Sequence, residues 1–97
     1  MGYVRTYPPP PPHAHVEGVA IAAIRDRGDV GRDVVSVYWH DIGGRRWYRF
    51  RLDGFAVIGA WLGAEHGARN GWRRFPDWGA AIDAAHEWAE EVFGGGR

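Results

Sequence analysis

The chain has no cysteine and no lysine, a single serine and a single threonine. Without cysteine there is no disulfide framework, no thiol nucleophile and no zinc knuckle, and an intracellular, cytoplasmic setting is expected. The only serine, Ser36, falls in a strand-like run, and the only threonine, Thr6, lies near the N-terminus. Neither stands on a nucleophile elbow, so Ser/His/Asp chemistry has no candidate. Nowhere does the chain approach the roughly 18 consecutive apolar residues of a membrane span, and it opens without the apolar run of a secretory signal. A soluble protein with no membrane partner is therefore expected. The 15 glycines never form a GxGxxG or a GxxxxGK(S/T) context, so no nucleotide cofactor is expected. His13, His15, His40, His66 and His86 form no HExxH motif and no carboxylate–histidine cluster, so no metal is expected either. No catalytic, cofactor-binding or metal-binding residue is assigned, and a non-enzyme is expected.

What is present is aromatic and arginine-rich. Six Trp, four Tyr and four Phe occupy a chain of 97 residues, a length that holds one sheet and one or two helices around a single core. All twelve basic residues are arginine, and alanine and glycine are abundant. That composition fits a GC-rich bacterial or phage coding sequence.

Residues 1–15 read as a flexible, proline-rich arm, because the run Pro8–Pro12 favours extended polyproline II and cannot enter a sheet interior. Residues 16–97 read as one α+β domain. Val16–Arg25 is a first strand, followed by turn residues at Arg27-Gly28-Asp29 and Gly31. Val34–Ile42 is a stronger strand with Val35, Val37 and Trp39 on one face. Gly43-Gly44 supplies a tight hairpin, and Arg45–Leu52 then alternates cleanly. Asp53-Gly54 signals another hairpin into a strand over Phe55–Leu62, with a helix over Phe55–His66 as the alternative. Gly63–Gly71 reads as a loop and Gly71–Phe75 as a short edge strand.

Asp77 is a candidate N-cap for a helix over Trp78–Phe93. Its apolar residues Trp78, Ile82, Ala85, Trp88, Ala89 and Val92 recur every three or four positions, with Asp83, Glu87, Glu90 and Glu91 opposite. Three glycines end it. The expected architecture is an antiparallel meander of four to five strands under one C-terminal amphipathic helix.

Charge is segregated although it sums to zero. Arg45–Arg74 carries seven arginines against Asp53 and Glu65, a local +5, whereas Asp77–Phe93 carries five acids and no base. A basic sheet and an acidic helix are expected to give the domain two faces of opposite sign. Arg45, Trp47, Arg49 and Arg51 share one strand face, where guanidinium forks suit phosphate or carboxylate and a tryptophan suits a base or a protein anchor. The competing reading places Trp47 in the core and pairs the arginines with acids on adjacent strands. Arg73 and Arg74, beside Trp72, are expected to extend the same surface. Asp83, Glu87, Glu90 and Glu91 form the acidic counterpart, which suits a partner surface better than acid–base catalysis.

The stretch Gly71-Trp72-Arg73-Arg74-Phe75-Pro76-Asp77-Trp78, followed by Ala80-Ala81-Ile82-Asp83-Ala84-Ala85-His86-Glu87-Trp88-Ala89-Glu90, resembles the ending of small phage and mobile-element proteins. In those a last strand turns into an alanine-rich helix that packs on the sheet. Anti-CRISPR proteins and the arm-type DNA-binding domains of phage integrases share such an ending. The resemblance implies a non-enzymatic inhibitor that binds a protein partner, such as a nucleic-acid-binding CRISPR effector, and blocks its nucleic acid. A small nucleic-acid-binding module using the Arg/Trp sheet face is the alternative, and a self-associating dimer is the third reading.

Overall fold

The computed structural model describes residues 2–12, 14–28, 31–56 and 61–94, with the backbone alone for 55, 56 and 61–70. Five strands form one antiparallel sheet in chain order: β1 (Val4–Arg5), β2 (Glu17–Asp26), β3 (Gly31–Ile42), β4 (Arg45–Ala56) and β5 (Trp61–Arg73). One helix, α1 (Trp78–Gly94), covers one face of it. The α+β meander read from the sequence is the observed architecture.

The β3–β4 hairpin is the backbone of the sheet. Its twelve pairs run without interruption from Ile42↔Arg45 to Gly31↔Ala56. Gly43 and Gly44 close it with φ of 59° and 76°, a two-residue turn whose left-handed torsions match strand twist. The β2–β3 turn is tied by Arg27 N–H donating to the Gly31 carbonyl at 2.8 Å and by Asp26 Oδ1 accepting from Gly28 N–H at 2.9 Å.

Alternation along these strands sorts the side chains. Val35, Val37 and Trp39 on β3 face the helix together with their partners Leu52, Phe50 and Tyr48 on β4, and all six are buried. On β2 a bulge between Ile21 and Ala23 lets both Ala22 and Ala23 turn inward, fully buried. The helix sets Ala81, Ile82, Ala85, Trp88 and Ala89 against this floor. Phe50 stacks on Trp88 at 6.3 Å and on Phe75 at 5.8 Å between ring centroids. Asp77 caps the helix, its Oδ1 accepting from Ala80 N–H at 2.8 Å.

Trp39 shows how tightly the covered face is built. Its cross-strand neighbour is Gly18, and a Cβ there would lie 2.7 Å from the indole Cζ2. Only glycine leaves room for the ring. On its other side Arg46 lies 4.5 Å from the ring centroid and forks onto Asp41 at 2.6 and 2.9 Å. These bonds hold the Arg46 guanidinium above its ordinary range, and burial does the same to the Tyr48 phenol.

Expectations for β4 and β5 are corrected. Asp53-Gly54 is not a turn but the interior of β4: Asp53 pairs with Val34 and Gly54 with Asp33, because β3 is partnered along its whole length. The residues from Gly63 to Gly71 are not a loop; they belong to β5, which takes up its glycines and polar residues through three register irregularities against β4. The expected short edge strand is the end of that same strand. Of the expected strand over Phe55–Leu62, Phe55 and Ala56 end β4 and Trp61 and Leu62 begin β5, and 57–60 lie outside the described residues.

The segment expected to be a flexible arm is docked through its first half. Val4 and Arg5 pair with Ile24 and Ala23 at the sheet edge. Thr6 donates its N–H to the Ala22 carbonyl at 2.8 Å and its hydroxyl to that of Ile21. The chain then runs antiparallel to α1. His86 Nε2 lies 2.8 Å from the Thr6 carbonyl, in reach to donate a hydrogen bond, and Trp78 Nε1–H donates to the Pro8 carbonyl at 2.9 Å. Pro8 and Pro11 are half-buried while Pro9, Pro10 and Pro12 are exposed, the three-residue period of polyproline II laid on a surface.

Candidate interaction surface

The sheet face turned away from α1 is built by the alternate residues of the same strands. Pairing brings Glu17, Val19 and Ile21 of β2 beside His40, Tyr38 and Ser36 of β3, and these beside Trp47, Arg49 and Arg51 of β4. Val19, Ile21 and Trp72 on it are large apolar side chains 56, 44 and 43% exposed, whereas Ser36 and Asp53 are buried.

The expected Arg/Trp row is on this face. Arg45 is exposed, whereas Trp47, Arg49 and Arg51 are half-buried among their neighbours. The Arg51 guanidinium sits 5.9 Å from the Tyr38 ring centroid and Arg74 5.7 Å from that of Trp47. Arg51 also reaches within 3.4 Å of Asp53, which is buried. The competing reading asks for Trp47 in the core and acids on adjacent strands, but Trp47 is half-buried, and the acid beside Arg51 lies on the same strand. Arg49 Nε and Arg51 Nε are buried and have no hydrogen-bond partner among the described residues, and a buried N–H of a cation without an acceptor is costly.

Arg73 departs from expectation. It pairs with Tyr48, and its guanidinium lies 4.9 Å from the Phe75 ring, on the helix-covered side. Of the two arginines beside Trp72, Arg74 alone extends the open surface. Asp83, Glu87, Glu90 and Glu91 are all exposed on α1, so the acidic row lies on the opposite side of the sheet from the arginine row. Glu90 comes within 4.0 Å of Arg5.

Beside the arginine row lies a shallow groove of about 390 Å³ lined by Glu17, Gly18, Val19, Tyr38, Trp39, His40 and Trp72. The His40 ring meets Trp72 edge-on at 6.2 Å, and its Nε2 lies 3.8 Å from Glu17. Sequence reasoning did not single out this groove. Tyr38 and His40 share the even-numbered face of β3, but their approach to Trp72 depends on the course of β5, whose residues 63–71 look like a loop in the sequence.

A second ionic cluster serves the fold. Asp33, 1% exposed on the covered side, accepts from Arg25 Nε at 3.1 Å and from Arg27 at 3.1 Å, and Arg25 lies 4.8 Å from the Phe93 ring near the helix end. Among the described residues no group of three or more His, Asp or Glu is placed to hold a metal ion, and no helix is long and apolar enough to cross a membrane. No family model, curated protein or solved structure matches the chain.

Proposed function

We propose that this chain is a non-enzymatic interaction protein that grips a protein partner with the uncovered face of its sheet. The observation that carries the reading is that Val19, Ile21 and Trp72 stand exposed there beside Tyr38, Trp47, Arg49 and Arg51. Trp, Tyr and Arg are the side chains that anchor protein interfaces: the rings offer a large contact at low cost in ordering, and the guanidinium adds a planar fork of donors. An inhibitor of the anti-CRISPR kind is the form of this reading that uses both faces: the acidic row of α1 competes for a basic nucleic-acid channel while the sheet holds the effector. The test is plasmid interference in cells carrying one of a panel of CRISPR effectors. Expression of the chain is expected to rescue the targeted plasmid against one effector, and Trp72→Ala with Ile21→Asp is expected to abolish that rescue. Failure against every effector removes the inhibitor form. Retention of rescue by the double variant removes the sheet face as its site.

The exposed guanidinium-bearing side chains Arg45 and Arg74, the latter 5.7 Å from the Trp47 ring on the same face as Arg49 and Arg51, favour a second reading, in which they contact phosphate oxygens of a single-stranded nucleic acid. Its affinity for an oligonucleotide would fall steeply with added salt. A low-salt titration with no binding eliminates it.

A further inference from the structure

We infer that the groove beside Trp72 receives an arginine side chain of the protein partner. The inference rests on the proposed function, and it follows from a pattern the protein repeats within itself. Trp39 carries Arg46 over its ring at 4.5 Å, and Asp41 clasps that guanidinium at 2.6 and 2.9 Å. Tyr38 and Trp47, on the open face, are likewise approached by Arg51 and Arg74. Ring, guanidinium and carboxylate make a favourable trio: the cation sits over the π-face while its planar fork reaches the acid.

Trp72 repeats two of the three parts. Its ring is exposed, and among the described residues no cation lies over it. The carboxylate is Glu17, on the same groove, 3.8 Å from His40, which in turn lies edge-on to Trp72 at 6.2 Å. Val19 and Tyr38 give the groove apolar walls along which the methylene stem of an arginine can lie. Its volume of about 390 Å³ accommodates the side chain with adjoining peptide.

Charge decides between the candidate occupants. Glu17 repels phosphate, so a nucleic-acid strand crossing Arg49 and Arg51 is disfavoured at this end of the face. One carboxylate and one imidazole are too few ligands for a metal. A neutral aromatic would gain nothing from the acid. Lysine satisfies the charge but not the stacking and fork geometry that arginine offers. The basic face and the Trp72 groove thus differ in sign. A partner matching both presents acidic residues flanking a protruding arginine.

The test needs no partner. The probe is an N-acetylated, C-amidated Gly-Arg-Gly peptide titrated into the full chain, with the Trp72 indole N–H followed by NMR. A control peptide carries citrulline, the neutral isostere of arginine. The arginine peptide is expected to move the Trp72 signal with roughly millimolar affinity, and the citrulline peptide to leave it in place. Glu17→Gln is expected to weaken binding about twofold to fivefold. Trp72→Ala, with circular dichroism and Tm unchanged, is expected to abolish binding, followed then at the His40 ring signals. An unmoved Trp72 signal, equal response to citrulline, or undiminished binding to Trp72→Ala overturns the inference. Because the probe is a peptide, such a failure leaves the sheet-face reading to its own interference test.

Discussion

The two faces of β4 are made by neighbouring residues and have opposite characters. Tyr48, Phe50 and Leu52 are buried under α1, while Trp47, Arg49 and Arg51, each one position away, look to the open side. On the covered side every large ring is held by a partner: Phe50 by Trp88 and Phe75, Trp39 by Gly18 and Arg46. On the open side Tyr38 and Trp47 meet arginines, and Trp72 meets His40 and solvent. A strand's period of two therefore lets one sequence stretch carry the fold on one set of positions and recognition on the other. Substitutions at adjacent positions should then have unlike consequences.

The largest effect is expected where the covered face is thickest. Trp88→Ala removes the ring stacked on Phe50 and should cost about 3–5 kcal/mol in urea unfolding. A loss below about 1 kcal/mol would mean that α1 is not the lid of the core. Gly18→Ala should cost about 1–3 kcal/mol by driving a methyl into Trp39, whereas most of that cost should vanish when Trp39 is also made Leu. Simple additivity of the two changes would contradict the contact. Asp77→Ala, which removes the cap on Ala80, should cost about 1 kcal/mol, and Asp77→Asn far less.

The smallest effect is a pH dependence. Burial raises the Tyr48 phenol above its ordinary value in the folded chain, against an opposing pull from Arg46. The unfolded chain therefore releases that proton first as pH rises. The contribution to stability is intact below the unfolded phenol value of about 10 and is lost as pH climbs through the folded value. Tyr48→Phe should flatten the alkaline fall in Tm relative to the parent. An unchanged slope would show that Tyr48 is not its source.

How much of this was legible depended on whether local signals agreed with the partners a segment finds. The helix could be read because apolar spacing, the Asp77 cap and the terminal glycines point the same way. The two faces of β4 could be read because Tyr48, Phe50 and Leu52 alternate with Trp47, Arg49 and Arg51. Asp53-Gly54 misled because a turn-forming dipeptide carries no information about the strand beside it, and β3 pairs through both residues. Gly63 and Gly67 looked like loop residues, yet in β5 they pair with Gly54 and Leu52 of β4. The docking of Thr6 and Pro8 on α1 spans about 70 to 80 residues of chain, beyond the reach of any local pattern. The Trp72 groove was hidden for the same reason. Arg73 and Arg74 are adjacent in sequence, yet the pairing of Arg73 with Tyr48 and the approach of Arg74 to Trp47 part them to opposite sides.

The claim that the second face is free for a partner is tested most directly by thinning it. Val19→Thr, Ile21→Thr and Trp72→Thr combined keep β-forming, branched side chains on the strands but strip the exposed apolar surface. In urea unfolding the triple variant is expected to stay within about 1 kcal/mol of the parent, as exposed substitutions do. A loss of more than about 3 kcal/mol, the scale of emptying a core, would contradict the account by showing that this face is packed within the protein's own fold.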